Sequence, residues 1–148
     1  MALATLAAIC RSAVERDPYT REIIQVYQAE SPARLAKVLA RLLGGMLALG
    51  VEPDAAWTTL TKTGLDCMPT LRRLAFDWLI ARADPATTDA IAKAVGYPAG
   101  NTIRRTLQDL AAHTVLIEGT GGKSGKSSEW SVSDQARELF AAATAAGA

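Results

Sequence analysis

Residues 87–118 read TTDAIAKAVGYPAGNTIRRTLQDLAAHTVLIE, and the fold turns on how this stretch is parsed. Thr87 or Thr88 caps a short helix carrying Ile91, Ala94 and Val95, which Gly96 closes. Pro98 opens a second helix in which Ile103, Leu107 and Leu110 share one face. The period then changes. VLIE is a short apolar run, GTGGKSGKSS reads as a flexible tip, and EWSVS alternates before a last helix from about Asp134. Upstream, Leu71, Leu74, Ala75, Trp78 and Leu79 stand at i, i+3, i+4, i+7 and i+8, so a helix begins near Pro69 and stops before Asp84-Pro85. The expected order is three helices, a two-stranded hairpin and a terminal helix.

In that order and in its residues the stretch resembles the helix-turn-helix of winged-helix DNA-binding proteins of the MarR kind. An Ala/Ile/Val positioning helix, a Gly-containing turn, a recognition helix ending in Leu-x-x-Leu and a following strand all have counterparts in residues 70–140. The departure is Thr114, where that family commonly has Gly after the helix. The resemblance implies double-stranded DNA as partner. The physical argument is independent of it: with Ile103, Leu107 and Leu110 turned to a core, Asn101, Thr102, Arg104, Arg105 and Gln108 are left toward solvent. An α-helix fits the major groove, where Arg pairs with guanine or phosphate and Asn or Gln with adenine. Lys123 and Lys126 sit in the hairpin tip among Gly and Ser, with no acid between Gly119 and Ser128, so they suit a phosphate backbone or a minor groove. Affinity built on such charges falls steeply with salt.

The same tip, GTGGKSGKS, imitates a phosphate-binding loop. The pattern G-x-x-x-x-G-K-[ST] requires Gly six residues before Lys126, and that position is Thr120. The segment also leads into a strand rather than a helix, so no nucleotide is expected there. His113 lies at a helix end without a Ser, Cys or carboxylate at catalytic spacing, and reads as a C-cap or a surface group. Trp57, Trp78 and Trp130 are too dispersed for a base-stacking platform and read as core. No catalytic residue, metal site or cofactor is expected.

Toward the N-terminus the reading is helical as well. Leu3, Leu6, Ala7, Cys10, Ala13 and Val14 predict a helix from Ala2 to about Arg16, ended by Asp17-Pro18; YTREIIQVYQAE stays open between extended chain and a short helix. Ser31-Pro32 reads as N-cap and first helical residue of a strong helix with a broad apolar face of Leu35, Val38, Leu39, Leu42, Leu43, Met46, Leu47 and Leu49. Gly44-Gly45 inside it predicts close packing or a kink. Pro53 starts another helix with Ala56, Trp57 and Leu60. The expected division is therefore a helical unit over 1–68 and a winged helix-turn-helix domain over 69–148, mainly α overall.

Composition agrees with this. Of 148 residues 49% are hydrophobic and only 5% aromatic, and the 29 Ala favour helices. The formal net charge of +1, from 16 basic and 15 acidic groups, does not by itself announce a nucleic-acid partner. No apolar run reaches a membrane span and the start lacks a basic leader, so a cytoplasmic protein with no membrane partner is expected. Cys10 and Cys67 are isolated thiols expected to be buried and reduced.

Residues 16–79, from RDPYTREIIQVYQ through LRRLAFDWL, are similar to a segment of large actinobacterial proteins of the replicative helicase or primase-associated ATPase type, lying directly before a C-terminal winged helix, so that the likeness spans the chain from about Arg16 to Phe140. That likeness implies a tether to an ATPase, with Arg34 or Arg41 as a phosphate-directed arginine by position, or a stand-alone relative. No P-loop and no acidic Mg²⁺-binding strand is present, so ATPase activity is not expected. Two function classes follow: a double-stranded DNA-binding module, as a homodimeric regulator through the N-terminal helices or as a part of a replication protein, and a protein-interaction adaptor whose winged helix docks a protein.

Overall fold

A computed structural model describes residues 1–119 and 128–145. The first helix, α1 (Ala2–Arg11), buries Leu3, Leu6, Ala7 and Cys10 at helical spacing, but it stops five residues short of the expected end. Ser12 is extended there, at φ −63° and ψ 144°. Its hydroxyl donates back to the Ala8 carbonyl (2.7 Å), and the Arg72 guanidinium donates to the Cys10 and Ser12 carbonyls (2.9 and 2.7 Å). Acceptors orphaned by the helix end are thus satisfied by a residue sixty positions away, which no local pattern announces.

The chain continues as β1 (Val14–Arg16) and returns as β2 (Ile23–Val26), antiparallel with Val14 opposite Val26 and Glu15 opposite Gln25. The stretch left open in the sequence is therefore a hairpin, and Val14 belongs to a strand. Asp17 organises its turn: one carboxylate oxygen accepts from the Tyr19 and Thr20 amides (2.8 and 2.7 Å). These bonds favour the ionised form and lower the Asp17 pKa from its ordinary value.

Helix α2 (Pro32–Ala48) starts where expected, with the Ser31 hydroxyl accepting from Ala33 N–H. Its apolar face is only partly used. Leu39 alone is buried, Leu35, Leu43 and Met46 pack against the core, and Val38, Leu42, Leu47 and Leu49 are exposed. Gly44 and Gly45 have nothing close to where a side chain would project, so close packing does not explain them. The close approach lies instead at Gly64 of α3 (Pro53–Leu65), where an added Cβ would meet the Leu3 side chain at 2.7 Å.

The second half runs α4 (Thr70–Ile80), β3 (Ala86–Thr87), α5 (Thr88–Ala94), α6 (Asn101–Ala112), β4 (Leu116–Gly119), β5 (Glu129–Val132) and α7 (Asp134–Ala145). The expected two-stranded sheet has three strands, all antiparallel, in the order β3-β5-β4. Two residues, Ala86 and the capping Thr87 itself, are too few to carry a periodic signal, so β3 was not legible. Thr87 is the cap, accepting from the Ala90 amide. Helix α6 begins at Asn101 rather than at Pro98, because Gly100 holds φ 144°, a conformation a side chain disfavours.

Ile103, Leu107 and Leu110 are fully buried, together with Ile91, Phe76 and Trp130. The Trp130 indole N–H donates to the Thr88 hydroxyl (2.9 Å), and Phe76 meets Phe140 edge-on with ring centroids 5.7 Å apart. Leu74 is exposed, and Trp57 and Trp78 are only half-buried. Helix α1 packs on α7, and the buried residues of 1–68 and 69–148 join in one cluster. The molecule is mainly helical with a small antiparallel sheet.

Candidate nucleic-acid interface

The outward side of α6 is built by subtraction. Once Ile103, Leu107 and Leu110 are inside, the helical period leaves Asn101, Thr102 and Arg104 exposed and Arg105 and Gln108 half-buried. The N-terminus of α6 has no side-chain cap and no acid in its first turn, so its orphan amides and positive dipole end are not answered by a side chain.

This side is not a free ridge. Opposite it stands the β1–β2 hairpin, and the two enclose a cleft of about 620 Å³. Asn101, Arg104, Arg105 and Gln108 line it from α6, and Arg16 and Arg21 from the hairpin. Thr102 is exposed but does not line the cleft. Lys123 and Lys126 lie outside the described residues. Four of the expected residues are thus brought together, joined by two arginines that sequence reasoning missed. The only sign of these was their position on either side of Asp17-Pro18, which says nothing about α6.

An ion network holds the two walls together. Asp109 takes Arg16 on one carboxylate oxygen (2.6 Å) and Arg72 on the other (3.0 Å), all three side chains being less than a fifth exposed. Arg16 also donates to the Arg105 carbonyl (3.2 Å), the Gln108 amide oxygen (3.4 Å) and the Arg21 carbonyl (2.9 Å). One guanidinium therefore touches both sides of the cleft, and the Arg16–Asp109–Arg72 cluster, with two cations on one carboxylate, keeps a net positive charge. Arg21, Arg104 and Arg105 form no ion pair among the described residues, while Glu22 and Glu118 also line the cleft.

The remaining singled-out residues lie elsewhere or serve the fold. His113 follows α6 as its C-cap, the first of the two expected readings, and is buried rather than on the surface, with Nε2 3.3 Å from the Ala13 carbonyl. Arg34 and Arg41 are exposed on α2 and away from the cleft. Cys10 is buried, which pushes its thiol pKa up to about 12, whereas Cys67 is only half-buried and donates to the Thr63 carbonyl. Among the described residues no group of His, Cys, Asp and Glu is placed to hold a metal, and no helix is long and apolar enough to cross a membrane.

Fold and site together define a mainly helical protein with a small antiparallel sheet and an arginine-lined cleft. No family model, curated protein or solved structure matches the chain.

Proposed function

We propose that this chain is a double-stranded DNA-binding winged-helix protein, acting by binding rather than catalysis, with α6 as its recognition helix. The observation that carries the reading is the division of α6: an apolar face fully buried, and an opposite face offering Asn101, Arg104 and Arg105 with no internal ion pair among the described residues. The order α4-β3-α5-α6-β4-β5, with β3 joined to β5, is the order a winged helix has. The uncapped α6 N-terminus suits a phosphate. In this reading Asn101, Thr102, Arg104, Arg105 and Gln108 meet the major groove, and the Lys123 and Lys126 segment meets the backbone.

Titration of a labelled duplex at low salt tests it. Replacing Arg104→Ala together with Arg105→Ala is expected to weaken binding at least about tenfold, because a hydrogen bond from a charged group, to a base edge or to a phosphate, is worth about 1.5–3 kcal/mol. Equal binding by the double variant and the wild type overturns the reading.

A second reading, a protein-interaction adaptor, is favoured by the exposed Val38 and Leu42 on α2 and Leu49 at its C-cap. Failure of the wild type to bind any duplex at low salt selects it. Within the DNA-binding reading, a transcription regulator needs two copies with recognition helices roughly 34 Å apart, whereas a part of a replication protein works as one copy beside an ATPase.

A further inference from the structure

With α6 in a major groove, a DNA backbone would run along its flank, on the side where the hairpin stands. A helix about 10–12 Å across with its side chains fills a major groove about 12 Å wide, so one sugar–phosphate strand runs along each of its flanks. Any wall beside a groove-reading helix must therefore stand on the far side of a strand and leave room for it. The cleft between α6 and the hairpin is such a space, about 620 Å³, and its lining is cationic and polar rather than greasy.

We propose that the β1–β2 hairpin is a second nucleic-acid-contacting element and that the cleft holds one phosphodiester strand of the duplex, between Arg21 on one wall and Arg104 and Arg105 on the other. The inference rests on the reading of α6 given above. Arg16 is a positioning residue here. Its bonds to the Arg21 carbonyl on the hairpin and to Arg105, Gln108 and Asp109 on α6 hold the two walls at a set separation, and it shares the Asp109 carboxylate with Arg72. Arg21 differs: its backbone is anchored by Arg16 and Asp17, while its side chain is exposed and makes no hydrogen bond among the described residues. Its φ of 63° is a conformation non-glycine residues seldom take. Thr20 and Asn101 add neutral donors from the two walls, and Glu22 and Glu118 leave the cleft with a net positive charge.

The test uses the full chain and a fluorescein-labelled mixed-sequence duplex, with a second duplex of scrambled sequence, titrated by anisotropy over a salt series. Arg21→Ala is expected to weaken binding several-fold on both duplexes, since a phosphate contact carries no sequence information. The plot of log affinity against log salt should become shallower by about 0.9, the amount for one phosphate contact. Arg21→Lys should restore most of the slope, and thermal melting of both variants should match the wild type. Unchanged affinity and slope in Arg21→Ala, with binding still lost in the Arg104→Ala/Arg105→Ala variant, overturns the hairpin's role and leaves the α6 reading standing. Tighter binding by Arg21→Ala also overturns it, by making the hairpin a shield. No duplex binding by the wild type overturns both.

Discussion

Thr114 holds φ 60° just past the His113 C-cap of α6, at the position where the winged-helix resemblance has glycine. A β-branched side chain is costly there, because its Cβ crowds the neighbouring carbonyl. The conformation persists because the turn is tied down on both sides: the Thr114 amide bonds to Ala111, and the Thr114 carbonyl accepts from the Ser133 hydroxyl (2.7 Å). Thr114→Gly is accordingly expected to stabilise the fold by about 1 kcal/mol, less what the more flexible glycine gains in the unfolded chain, and denaturant titration measures it. Cys10 supplies a second expectation. Burial raises its thiol from an ordinary 9.0 to about 12, so the thiolate that reacts with alkylating reagents is nearly absent in the folded protein. Maleimide at neutral pH should label Cys67 and spare Cys10 until the protein is unfolded, as mass mapping reads. The folded pKa lies above the unfolded one. The contribution is therefore complete below about 9 and is lost as pH rises toward about 12, with a limiting slope of about 1.4 kcal/mol per pH unit.

At the scale of elements, α6 was legible because its signal is local: Ile103, Leu107 and Leu110 recur at four and three, and the polar residues between them have to face out. The hairpin was not. Its strands are three and four residues long, and its place opposite α6 depends on Arg16 reaching residues about ninety positions away. The same contacts make Asp109 the weak point of the joint. Removing it leaves Arg16 and Arg72 without their shared carboxylate in a largely buried setting, and such a loss costs about 3 kcal/mol. Asp109→Ala should therefore lower the melting temperature, whereas Arg21→Ala should not. Hydrogen exchange in Asp109→Ala should rise first in residues 14–26, where the hairpin is held chiefly by that network.

For the whole molecule the informative feature is surface left uncovered. Val38, Leu42, Gly45 and Leu49 follow one another at four, three and four along α2, a seam that suits a second helix, and Gly45 leaves open space for a close backbone. The three side chains are 56%, 37% and 86% exposed, so they contribute little to the fold of a single copy. The regulator form of the proposal therefore expects a mass near twice 15.6 kDa in sedimentation, returning to one copy in Leu42→Asp/Leu49→Asp with the melting curve retained. A single-copy mass for the wild type would instead favour the version tethered to an ATPase.

Periodicity and turn chemistry were enough to determine the helices of the second half, the strands β4 and β5, and which face of α6 turns outward, because these depend on residues within a turn or two of one another. Only the tertiary structure decided that α1 ends at Arg11, that a third strand joins the sheet, that part of the α2 face stays uncovered, and that the outward face of α6 is one wall of a cleft. Each of those outcomes depends on a partner distant in the chain, or on the lack of one: Arg72 at the end of α1, Trp130 opposite Ala86, and Arg16 against Asp109. Spacing along a sequence records which residues can share a face, but not what meets that face.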